Sequence, residues 1–81
     1  MNMKNPTETF ETYRPLLFSI AYRMLGSVME AEDIVQEAYL RFHTRQDIKS
    51  PRAFLSTIVV RLCLDYLKSA KTKREHYLGT W

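Results

Sequence analysis

An all-α fold, a compact bundle of three helices, is what this 81-residue sequence predicts. Apolar residues recur at three- and four-residue spacing through the chain, and no strand-like alternation interrupts them. Helix punctuation falls between the periodic stretches, Gly26-Ser27 at the first junction and Ser50-Pro51 at the second. One cysteine and no zinc-spaced Cys/His cluster leave a single small hydrophobic core to hold the domain. The helices become four if Pro15 divides the first.

Residues 1–7 are polar, poor in packing side chains and expected to form a disordered tail. From about Thr7 onward, Phe10, Tyr13, Leu17, Ile20, Ala21 and Met24 follow helical spacing up to Gly26. Pro15 removes a backbone donor and crowds the preceding turn, which predicts a kink near Glu11–Arg14 or two abutting helical pieces. Few polar side chains lie between Leu16 and Leu25, so this helix should be buried on much of its circumference.

Gly26 can take the left-handed conformation that ends a helix, and Ser27 with Glu30 three residues later forms a capping-box pattern. The second helix starts there and should end at about His43 or Arg45. Ala31, Ile34, Val35, Ala38 and Phe42 make its apolar stripe. At 3.6 residues per turn, Asp33, Gln36, Glu37 and Leu40 fall on the opposite side. An outward leucine beside two carboxylates and an amide is a candidate protein contact; the plainer reading is a solvated acidic face with one stray leucine.

Thr44 to Ser50 breaks the periodicity and is polar apart from Ile48, which is placed to anchor the loop to the body of the domain. Ser50 as N-cap and Pro51 at the first helical position open the third helix, expected to run to about Arg74. Its broad apolar arc comprises Leu55, Ile58, Val59, Leu62, Cys63 and Tyr66, flanked by Phe54 and Leu67, with Phe54 and Tyr66 read as core. Cys63, between two leucines, reads as a small buried apolar residue rather than a reactive thiol. Thr57, Arg61, Lys68 and Lys71 lie on the other side with Asp65 near its edge. Lys68, Lys71, Lys73 and Arg74 in the last turns also suit the negative end of the helix dipole. Residues 76–81 read as the start of a linker, which leaves 8–75 as the domain.

An apolar share of 46% with 26% charged residues is ordinary for a soluble globular protein. The N-terminus lacks a signal peptide's apolar region and no stretch is long enough to span a membrane, so a cytoplasmic location is expected. Residues 1–40 carry a net charge of −3 and residues 41–81 a net charge of +6. An acidic half joined to a basic half suggests two partners, the second a polyanion. There is no Gly-rich phosphate loop, and His43 and His76 have no evident partners for catalysis or metal binding. The expectation is a non-enzymatic domain without metal or cofactor.

The run Glu32-Asp33-Ile34-Val35-Gln36-Glu37-Ala38-Tyr39-Leu40-Arg41 resembles a helix of region 2 in extracytoplasmic-function (ECF) sigma factors of the bacterial sigma-70 superfamily. Tyr13-Arg14-Pro15-Leu16-Leu17 through Arg23-Met24-Leu25-Gly26-Ser27 resembles the first helix of that region. Pro51-Arg52-Ala53-Phe54-Leu55 and Arg61-Leu62-Cys63-Leu64-Asp65-Tyr66-Leu67-Lys68 resemble its third. Arg61 stands where most of the family has asparagine. Arg-Leu-Cys-Leu-Asp with the later Tyr-Leu-Gly-Thr-Trp is similar to the subgroup with a SnoaL-like C-terminal extension.

The resemblance implies a bacterial cytoplasmic module for transcription initiation. Asp33, Gln36, Glu37 and Leu40, with Arg41 at the edge, would dock on the clamp helices of the RNA polymerase β′ subunit. The loop, through Thr44, Arg45, Gln46, Asp47 and Lys49, would capture an unstacked base of the promoter −10 element on the non-template strand. Arg61, Asp65, Lys68 and Lys71 would meet the same strand at the melting point. An anti-sigma factor or a C-terminal regulatory extension is a further partner that the family admits. The chain stops before any second helical domain able to read a −35 element, so an isolated region 2 is expected. Two other readings rest on the residues alone. One is a small double-stranded DNA-binding domain with its third helix in the major groove; the other is a helical protein-interaction module.

Overall fold

The computed structural model describes residues 5–45 and 47–79, with side chains to Lys71. Its elements are α1 (Pro6–Leu25), α2 (Val28–His43) and α3 (Pro51–Gly79). Among the described residues the chain is helical, with no strand, as the periodicity predicts.

Helix α1 starts at Pro6, so part of the expected tail is already helical. The Asn5 side chain accepts from the Glu8 backbone N–H at 2.8 Å, and Pro6 occupies the first turn, where a missing donor costs nothing. The helix runs through Pro15 as one element of 20 residues, and the division into two pieces does not occur. Proline deprives the Glu11 carbonyl of its helical donor, but Glu11 and Pro15 both lie on the exposed face, where water can satisfy that carbonyl. Gly26 ends the helix at φ 71°, and its N–H donates to the Tyr22 carbonyl at 2.7 Å.

The Ser27 hydroxyl caps α2 by accepting from the Glu30 N–H at 3.4 Å. The reciprocal half of the expected capping box is replaced: one Glu30 carboxylate oxygen takes the Tyr66 hydroxyl of α3. At the other junction Ser50 caps α3, its Oγ accepting from Ala53 N at 3.4 Å and its carbonyl from Phe54 N at 2.9 Å.

The three helices pack up, down and up. Phe10 of α1 meets Tyr39 edge-on, with ring centroids 5.0 Å apart, and lies 6.4 Å from Phe42; Phe42 in turn lies 6.2 Å from Phe54 of α3. Leu17, Ala21, Ala31, Val35, Ala38, Leu55, Val59 and Cys63 complete the centre of the core. Full burial of each larger member contributes about 1.5–3 kcal/mol. Ile48 packs against this core from the loop, as its isolation among polar residues suggests. Burial pushes the Cys63 thiol above its ordinary pKa, which suits a packing residue rather than a nucleophile.

After Cys63 no described residue of α3 is buried. Tyr66 and Leu67, read from the sequence as part of the apolar arc or its flank, are exposed. Helix α2 begins at Val28, so at Tyr66 the antiparallel partner has run out and α3 goes on alone. It continues to Gly79, past the expected end near Arg74 and through the first residues of the expected linker. No proline or glycine lies between Pro51 and Gly79 to stop it sooner.

Candidate functional site

The outer side of α2 is a ridge. Asp33, Gln36, Glu37, Leu40 and Arg41 are all exposed, as the helical spacing predicts, and Leu40 keeps 52% of its surface in contact with solvent. Met29, 79% exposed, extends the ridge by one turn: Met29, Asp33, Gln36 and Leu40 follow one another at spacings of four, three and four. Sequence reading missed Met29, although its position four residues before Asp33 was the available signal. The crest therefore has an apolar group at each end and two polar groups between them. Toward α1 it falls off at Gln36, which lines a 160 Å³ cleft with Arg14, Phe10 and Tyr39. Toward α3 it falls off at Glu37 and Arg41, paired at 3.2 Å between Oε2 and Nε.

Beside that edge lies a cavity of about 590 Å³, lined by Arg41, Thr44, Arg45, Ala53, Phe54, Thr57, Ile58 and Arg61. Each element contributes for a local reason. The last turn of α2 supplies Arg41, whose carbonyl accepts the Thr44 hydroxyl at 3.1 Å. The turn after the helix is held by the Arg45 N–H on the Phe42 carbonyl at 3.1 Å. Helix α3 supplies the opposite wall at positions 54, 57, 58 and 61, one face of two turns. The Arg45 guanidinium carbon sits over the Phe54 ring, 5.4 Å from its centroid, a cation–π contact. Phe54 is thus both a core residue and a cavity wall, where the sequence favoured core over a stacking platform.

A second cavity, about 300 Å³, lies on the loop side and is lined by Arg45, Asp47, Ile48, Lys49, Ser50 and Phe54. Arg45 and Phe54 belong to both linings and separate the two spaces. The loop and the third helix, consecutive in sequence, thus line two adjoining recesses. Gln46, also named from the sequence, lies outside the described residues.

Arg61, Lys68 and Lys71 are exposed along α3, with Asp65 beside them. Lys68 is two turns beyond Arg61, about 10.5 Å along the axis. The side chains of Lys73, Arg74 and His76 lie outside the described residues. His43 is exposed, its ring 5.6 Å from that of Tyr39. Among the described residues no group of three or more His, Cys, Asp or Glu is placed to hold a metal.

Charge is distributed to match the geometry. The larger cavity has three arginines in its lining and no carboxylate. The ridge carries Asp33 and Glu37, with Glu30 behind them toward α3. Such a recess offers guanidinium donors at its rim and apolar surface at Ala53, Phe54 and Ile58, which together suit a flat aromatic ring bearing an anionic group.

The model for the family described as sigma-70 region 2 matches residues 9–73. A 73-residue stretch is 55% identical to the ECF RNA polymerase sigma factor SigJ of Mycobacterium tuberculosis, covering 89% of this chain and 23% of that protein. The probable ECF RNA polymerase sigma factor SigI of the same organism is 40% identical over 78 residues, or 93% of this chain and 27% of that protein. The ECF RNA polymerase sigma factor SigW of Bacillus subtilis is 36% identical over 72 residues, or 84% of this chain and 37% of that protein. The chain thus spans from about a quarter to a little over a third of the length of these curated relatives. No solved structure matches.

Proposed function

The chain belongs to the sigma-70 region 2 family, and from that premise we propose that it is the part of an ECF sigma factor that joins core RNA polymerase to the opened promoter. The outer side of α2 docks on the clamp helices of the β′ subunit, through Asp33, Gln36 and Leu40 on its crest and Glu37 at its flank. Leu40 supplies the apolar anchor and the flanking carboxylates steer toward a basic partner face. This accounts for a leucine and a methionine exposed on an otherwise polar ridge.

The recess between the loop and α3 takes an unstacked base of the −10 element on the non-template strand. Extruding a base costs a few kcal/mol, which a fitted pocket offsets in part. Phe54 offers the ring face, and Thr44, Arg45, Asp47 and Lys49 offer polar groups around it. Along α3, Arg61, Lys68 and Lys71 follow the strand through its phosphates, and Asp65 adds an acceptor for a base edge. Arg61 stands where most of the family has asparagine and is the position at which base preference is to be compared. The module performs no bond chemistry of its own and works in the bacterial cytoplasm with polymerase.

The observation that carries this reading is the single recess shared by Thr44, Arg45, Phe54 and Arg61, from loop and helix together. The test is fluorescence anisotropy of a labelled −10 non-template oligonucleotide, single-stranded or in duplex, with core polymerase and this chain. Preference for the single strand, weakening as salt rises, is expected. Preference for duplex would favour a major-groove binder, and no binding at any salt would favour a protein-interaction module.

A further inference from the structure

The Glu37–Arg41 edge of α2 faces α3 rather than the crest of the ridge. Two observations establish this. Glu30 lies on the same side of α2, seven residues before Glu37, and its carboxylate accepts from Tyr66 of α3. At the other end of that side, Arg41 lines the large cavity together with Arg61 of α3. Leu40 is one residue away and so turned by about 100°.

We infer that Arg41, placed by sequence resemblance at the edge of the polymerase face, is a nucleic-acid contact that grips a phosphate of the captured strand at the mouth of the cavity. The inference rests on the proposed function, which supplies the strand. Three features of this chain support it. The lining of the cavity contains three arginines, Arg41, Arg45 and Arg61, and no carboxylate; the one acid paired with them, Glu37, lies outside that lining. Glu37 holds Arg41 through Nε alone, at 3.2 Å, which leaves the four Nη hydrogens for a ligand. An exposed pair one turn apart is too weak to withhold the guanidinium from a phosphate but does limit its range. Glu37 is thus a positioning residue for Arg41, and the two partner surfaces meet along this pair.

The experiment compares wild type, Arg41→Ala, Arg41→Lys and Leu40→Ala in the single-strand anisotropy assay with core polymerase, and separately in capture of core without DNA. Alanine favours helix, so Arg41→Ala keeps α2 folded. For Arg41→Ala the slope of log K against log salt should become shallower by about 0.7, the increment for one phosphate on a single strand. Core capture should be unchanged, and Arg41→Lys should keep the wild-type slope. Leu40→Ala should do the reverse, losing core capture. If Arg41→Ala weakens core capture and leaves the salt slope unaltered, Arg41 belongs to the ridge and the inference is overturned. Absence of strand binding by the wild type with core present would instead overturn the proposed function, and this inference with it.

Discussion

Tyr66 on α3 donates its phenolic proton to Glu30 on α2, joining two positions 36 residues apart in sequence at the point where α3 leaves the bundle. The bond links the first turn of the ridge-bearing helix to the helix that carries Arg61 and Lys68. The Glu30 bond acts first, and burial and the charges of Glu30 and Asp33 add to it, in raising the Tyr66 pKa above its ordinary value. Ionisation would place a phenolate against a carboxylate.

A spectrophotometric tyrosine titration follows directly. The component lost in Tyr66→Phe should have its midpoint above the ordinary tyrosine value of about 10. The folded state holds this proton more tightly than the unfolded state does. The stabilisation is therefore complete below the unfolded pKa and is lost as pH rises through the folded one. Unfolding melts of wild type and Tyr66→Phe should differ at neutral pH and converge in strong alkali. A difference that widens with pH would contradict the assignment.

Gly26 tests the junction between α1 and α2. A Cβ added there would meet nothing within 4 Å, so only its positive φ opposes substitution. Gly26→Ala should cost about 1–2 kcal/mol, and Gly26→Asn less, because asparagine tolerates the left-handed region. Chemical denaturation gives both values. Equal losses for the two variants would mean that backbone conformation is not the cause.

Leu55 is fully buried at the centre of the three helices. Leu55→Ala should destabilise by about 2–5 kcal/mol. In a domain of this size that lowers Tm by roughly 10 °C or more. Leu64, half exposed and about two and a half turns further along α3, serves as the control, and Leu64→Ala should shift Tm little. Comparable shifts for the two would mean that the bundle extends beyond Cys63.

Much of this was legible in the sequence because it is local. The caps at Ser27 and Ser50, the stop at Gly26 and the inward stripe of α2 all follow from spacing and from what a helix end requires. The exposed side of α2 follows from the same wheel. What escaped depends on neighbours. Periodicity alone put Tyr66 in the core, because residue spacing carries no information on where the opposing helix stops. The capping-box pattern at Ser27 and Glu30 could not show that Tyr66 would claim the carboxylate. The recess needs Arg41, Phe54 and Arg61 brought together from two helices, a relation no single window contains. Pro15 allowed a division of the first helix into two pieces, and α1 instead runs through it as one element.

Capture of core RNA polymerase by this chain, measured for wild type, Asp33→Arg and Leu40→Ala with helicity checked by circular dichroism, tests the central claim most directly. The account predicts that both variants stay helical and lose capture, since charge and apolar anchor lie on one crest of α2. Capture at wild-type strength by both folded variants would contradict it.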